Sequence, residues 1–107
     1  MTGFVYLIEE IAHPDGDSGP WTKIGVSKND PTWRLNANLK RGNPRTLRVA
    51  ATFLFPSEAE AYQAESEAHT HFKASFHQKE WFRLRWQEAA AWLATKEGAI
   101  LVAEKSS

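Results

Sequence analysis

A chain of 107 residues, 42% hydrophobic and 12% aromatic, carries enough apolar mass for one packed domain and is not a disordered segment. Its 13 Lys+Arg balance 13 Asp+Glu, so it lacks the overall basic charge usual for non-specific nucleic-acid binders. With no cysteine, a disulfide framework and thiolate metal sites are excluded. No apolar run reaches the ~18 residues of a membrane span, and MTGFVYLIEE lacks a basic n-region and a cleavage-like site. A cytoplasmic protein with no membrane contact is the expectation.

The elements follow in chain order. FVYLIEE (4–10) is a run of strand formers, apolar on both faces, which predicts a central strand. HPDGDSGP (13–20) is dense in turn residues and predicts a loop. WTKIGVS (21–27) predicts a second strand, the return arm of a long-looped hairpin. NDPTWRLNANLKRG (29–42) predicts a helix, with Asn29 or Asp30 as N-cap, Pro31 at the first helical position and Gly42 beyond the last turn. Leu35 and Leu39 share one of its faces. TLRVAATFLF (46–55) predicts a third strand. PSEAEAYQAESEAHTHF (56–72) predicts a helix capped by Ser57, with Glu60 three residues on and an apolar stripe of Ala61, Ala64, Ala68 and Phe72. KEWFRLR (79–85) suits a short strand, WQEAAAWLATKEG (86–98) a terminal helix, and the last residues are expected to fray. This order predicts an α/β (α+β) domain: a small, mainly antiparallel three-stranded sheet flanked by helices.

Charge is segregated. Pro31 to Ser57 holds no acid but carries Arg34, Lys40, Arg41, Arg45 and Arg48, whereas Glu58, Glu60, Glu65 and Glu67 follow at once. Such a segment builds a local basic surface, or simply a solvated helix and loop. Tyr6 and Lys23 lie on neighbouring predicted strands, where cross-strand side chains meet if the register allows. Gly25 leaves space beside Lys23. Arg34 sits in the first turn of its helix, a place suited to phosphate. Glu65 and His69 share a helix face at i,i+4 spacing. Taken singly, each has an ordinary reading: a solvated lysine, a core tyrosine, a surface arginine, a helical side-chain pair.

Their order in the chain is more specific. VYLI, then TKIGVS, then Arg34 eleven residues after Lys23, then ESEAHTHF, then EWF resembles the GIY-YIG nuclease superfamily. It is most similar to the branch whose second motif reads KIG, the meiotically up-regulated-gene-like domain also found in phage proteins. GNP followed by Leu47 in RGNPRTL fits that branch too. The resemblance covers roughly residues 3–84. It implies a GIY-YIG-like nuclease domain at 1–84, with residues 85–107 as a C-terminal helical extension and tail packed on the same domain. Two departures stand out. The first motif reads Phe4-Val5-Tyr6, without its glycine, and the loop between Tyr6 and Lys23 is long.

Residue by residue, the resemblance implies Tyr6, Lys23, Arg34, Glu65 and His69 as catalytic residues. Gly25 matches the motif glycine. Arg34, Lys40, Arg41 and Arg45 are implied in contact with DNA, and Glu65 as the ligand of one Mg2+ or Mn2+. The implied chemistry is phosphodiester hydrolysis. Tyr6 would be the general base, and because free tyrosine has a pKa of about 10, the Lys23 ammonium would favour its phenolate. Arg34 would steady the phosphate with its forked donors. The role of His69 is left open between catalysis and support.

Three other readings compete. A zinc site from His69, His71, His77 and Glu65 is weak, because helical residues two apart do not face one way and no HExxH is present. A nuclease-derived module that binds DNA or protein without cutting is favoured by the zero net charge and the altered first motif. A structural interaction domain predicts no salt-dependent DNA binding. Trp81 is expected in the core, and Trp33 either packs or touches nucleic acid. With no zinc finger or helix-turn-helix in view, target choice would fall to a homodimer or a partner protein, and the C-terminal helix with Trp86, Trp92 and Leu93 would complete the core or mediate dimerisation.

Overall fold

The computed structural model describes residues 2–12, 20–28, 46–78 and 81–104. The predicted helix at 29–42 and all of the predicted 13–20 loop except Pro20 lie outside the described residues.

The described chain is a mixed α+β domain. Strands β1 (Gly3–Ala12), β2 (Trp21–Ser27), β3 (Thr46–Phe55), β4 (Phe76–Gln78), β5 (Trp81–Phe82) and β6 (Ile100–Glu104) form one antiparallel sheet. Their order is β4-β5-β2-β1-β3-β6. Helices α1 (Glu58–His71) and α2 (Trp86–Ala94) complete it, with a 3-10 turn at Lys73–Ser75. Among the described residues the sheet is thus six strands wide rather than three. Two additions are short segments, β4 and β5, on the outer side of β2. The third is β6, which pairs with β3 where the sequence predicts a fraying tail.

The position of β1 follows from its composition. Val5 and Leu7 are fully buried on one face and Ile8 is 2% exposed on the other, as a strand covered on both sides requires. It accordingly sits between β2 and β3. Gly3, Val5 and Leu7 face α1: a Cβ built on Gly3 would lie 2.8 Å from the Ala61 Cβ and 2.9 Å from the Glu58 Cα. The helix can approach so closely because its inward stripe is alanine. Ala61, Ala64 and Ala68 are all buried, and Phe72 packs at the end.

The N-terminus of α1 is closed as predicted. Ser57 Oγ accepts from the Glu60 amide at 3.1 Å, and Glu58 and Glu60 complement the helix dipole. Helix α2 buries Trp86, Ala89 and Leu93, spaced as one helical face, in the same core as Phe53, Phe55 and Phe82. It is tied to α1 as well: Lys96 bonds Glu67 at 2.7 Å, its ammonium lies 4.2 Å from the Trp92 ring centroid, and His71 stacks on that ring. The chain leaves α2 through Gly98, at φ 82°, a left-handed turn that feeds β6 back onto β3. No helix among the described residues is long and apolar enough to cross a membrane.

Candidate functional site

The β1–β2 hairpin sets the centre of the site. Its register places Tyr6 opposite Gly25 and Ile8 opposite Lys23. Directly opposed residues share a face, and so do residues two apart on a strand. Tyr6, Lys23 and Gly25 therefore point to the same side of the sheet. Tyr6 and Lys23 are diagonal rather than facing neighbours, about 7–8 Å apart at Cα and within reach of long side chains.

Gly25 has a specific steric task. A Cβ built there would lie 2.5 Å from the Tyr6 hydroxyl oxygen and 2.8 Å from its Cε2. The tip of the phenol thus crosses from β1 and lies over β2 at the one position without a side chain. The sequence leaves space at Gly25 for the site in general; the structure assigns that space to Tyr6.

Glu65 and His69 come from the other side. Helix α1 covers the Val5, Leu7 and Ile24 face, opposite Tyr6 and Lys23. His69 Nε2 donates to the Ile24 carbonyl at 3.0 Å. The described pairing of β5 on β2 covers Thr22 and Lys23, so the imidazole serves the next carbonyl along that edge. The Glu65 carboxylate lies 3.7 Å from the same nitrogen, and its side chain keeps 19% exposure. The His69 ring also meets Phe82 edge-on, with centroids 4.9 Å apart. The two pairs therefore lie on opposite faces of the sheet and approach the same peptide unit from different sides. The carbonyl of Ile24 is held by His69, and the α-carbon of Gly25 lies under the Tyr6 phenol.

Arg34, Lys40, Arg41 and Arg45 lie outside the described residues. Tyr6, Lys23, Glu65 and His69 are all described, the first two on one face of the β1–β2 hairpin and the last two on α1, which packs on the other face and reaches β2 through His69.

Metal chemistry can be tested against the donor set. Among the described residues no three of His, Cys, Asp and Glu gather into a metal cluster. His71 turns away from His69 to stack on Trp92, with centroids 5.0 Å apart and rings 22° from parallel. A zinc site, which takes three or four protein ligands, does not fit Glu65, His69 and His71. The partly exposed Glu65 carboxylate does fit Mg2+ or Mn2+, which keep several waters and bind through one or two carboxylates plus substrate phosphate.

Trp81 differs from the sequence expectation. The core residue of the EWF segment is Phe82, at 0% exposure; Trp81 is only partly buried and pairs with Lys23 on the Tyr6 face. Alternation along β5 allows one of the two rings inward, and Thr22, opposite Phe82, already points into the core with its hydroxyl on the Leu84 carbonyl at 2.7 Å.

Among known protein families, the chain matches the T5orf172 domain over residues 3–96. That span includes α2, beyond the residue 84 at which the sequence resemblance ends. No curated protein and no solved structure matches the chain significantly.

Proposed function

We propose that this chain, which belongs to the T5orf172 domain family, is a metal-dependent endonuclease domain that hydrolyses DNA phosphodiester bonds. The family is a phage-associated domain related to GIY-YIG-like nuclease folds, which supports a nuclease-like or DNA-binding module in general. The observation that carries the finer reading is the Tyr6 phenol lying over Gly25, on the face it shares with Lys23.

In this reading Tyr6 accepts a proton from the attacking water, its phenolate favoured by the Lys23 ammonium on the same face. Arg34 steadies the non-bridging oxygens as negative charge builds on the phosphate. Glu65 holds one Mg2+ or Mn2+, which when bound supplies Lewis acidity toward the phosphate. His69, bonded to the Ile24 carbonyl, keeps α1 in register with β2, and the Glu65 carboxylate stands 3.7 Å from its ring nitrogen. Lys40, Arg41 and Arg45 extend the contact with the DNA backbone.

A plasmid-nicking assay tests the proposal. Nicks that require Mg2+ or Mn2+ and disappear in Tyr6→Phe and Glu65→Gln support it. DNA binding without product under either metal would instead make the domain a nuclease-derived binding module, the reading favoured by its zero net charge and its Phe4-Val5-Tyr6 motif.

A further inference from the structure

The sheet face that carries Tyr6 and Lys23 continues onto β5. Lys23 stands opposite Trp81 in the β2–β5 register, so the two side chains share that face. One step further along the same pair, Arg83 lies with its guanidinium carbon 5.5 Å from the centre of the Trp21 ring. Trp21 is two residues before Lys23 and shares its face. Two indoles and two cations are thus interleaved on one strip: Lys23 and Trp21 from β2, Trp81 and Arg83 from β5 and its continuation. Trp81, Trp21 and Lys23 are partly exposed and Arg83 is exposed.

The spacing suits a nucleotide chain. The Tyr6 phenol already reaches over β2. From there Trp81 is one strand away, about 4.8 Å, and two residues along, about 6.7 Å. That is on the order of one nucleotide step of an extended single strand. Indole faces accept any base, and cations between them meet the phosphates, the combination found where single strands bind. In a continuous duplex the bases are paired and stacked, so the indoles would have nothing to receive.

We infer that the Trp81–Trp21–Arg83 strip is a base-stacking platform beside the Tyr6 site, and that the substrate presents an unpaired nucleotide there: single-stranded, frayed or branched DNA rather than continuous duplex. The inference rests on reading the Tyr6 face as a nuclease site. Glu10 stands opposite Trp21 on this face but is buried; the groups that reach solvent are the two partly exposed indoles, which suit bases, and the exposed Arg83, which suits a phosphate.

The test measures binding without metal, so hydrolysis plays no part. Labelled oligo(dT) of about twelve nucleotides, within the span of known single-strand sites, is compared with the same length of duplex by fluorescence anisotropy. The intact chain is expected to prefer oligo(dT) and to show quenched tryptophan emission. Trp81→Ala is expected to weaken oligo(dT) binding about ten-fold and to leave duplex binding nearly unchanged. Arg83→Gln alters an exposed side chain, so it reports even where Trp81→Ala fails to fold; it is expected to weaken oligo(dT) binding and lower the salt slope by about 0.7. Unchanged oligo(dT) affinity in folded Trp81→Ala and in Arg83→Gln overturns the platform, as does a preference of the intact chain for duplex. Loss of oligo(dT) binding in these variants, with no cleavage by the intact chain, supports the platform and removes the nuclease reading. Unchanged binding with normal metal-dependent cleavage does the reverse.

Discussion

Replacing Gly25 by alanine separates the site from the fold. The new Cβ would stand 2.5 Å from the Tyr6 hydroxyl oxygen and 2.8 Å from Cε2, whereas non-bonded heavy atoms need about 3.5 Å. The tip of the ring must therefore retreat by about 1 Å. The cost is modest, because the atoms in the way are the far end of a side chain and not backbone. Overpacking of this kind costs about 1–3 kcal/mol, and alanine in a strand regains about 0.5–1 kcal/mol over glycine. The net loss is about 2 kcal/mol or less, which lowers Tm by roughly 10 °C or less in a domain of this size. The site fares worse. A general base displaced by about 1 Å loses on the order of 100-fold in rate. Gly25→Ala should thus stay folded by circular dichroism and cut plasmid about 100-fold more slowly under single-turnover conditions. In a Tyr6→Ala background the same change should cost no stability, since the ring it strikes is gone, and a double-mutant cycle reads that coupling directly. A Gly25→Ala protein that cuts at the parental rate would refute the placement of Tyr6 as base. An equal stability loss in both backgrounds would refute the steric argument itself.

Two further changes probe the frame. Gly3→Ala meets the Ala61 Cβ at 2.8 Å and the Glu58 backbone at 2.9 Å; with a helix backbone in the way, it should lower stability by about 1–3 kcal/mol in denaturant titration, with the rate per folded molecule preserved. Glu67 has its pKa held below the usual glutamate value, first by its hydrogen bond from Lys96. A depressed carboxylate adds stability above its ordinary pKa and loses it as pH falls through the folded value, so Lys96→Met should return the Glu67 titration, followed by NMR, to the ordinary range and flatten the acid limb of the stability curve.

Much of this arrangement is legible in the chain itself, for identifiable reasons. The two-faced apolarity of FVYLIEE marks a central strand. Ser57 and the alanine stripe mark where α1 starts and which face it buries. The order Tyr6, Lys23, Glu65, His69 marks the candidate site, and the hairpin register carries its first pair to one face. Other features are set by tertiary pairing. Ile100–Glu104 has strand composition, but its exposed Ile100, Leu101 and Val102 and its place at the chain end read equally as a fraying tail until β3 offers an edge to pair with. A two-residue strand has too little alternation to say whether Trp81 or Phe82 turns inward; Thr22 across the ladder decides it. The His69 bond to the Ile24 carbonyl joins residues 45 positions apart, beyond any local pattern. Arg34, Lys40, Arg41 and Arg45 remain expectations of the sequence and of the proposed function.

The most direct measurement is single-turnover nicking of supercoiled plasmid by the intact chain, Tyr6→Phe and Glu65→Gln, with Mg2+ and with EDTA. Tyr6→Phe removes one oxygen and keeps the ring over Gly25; Glu65→Gln keeps the shape and removes the charge. The account predicts nicking by the intact chain only with metal, and a loss of about 100-fold or more in each folded variant. Nicking by both variants at the parental rate would contradict it.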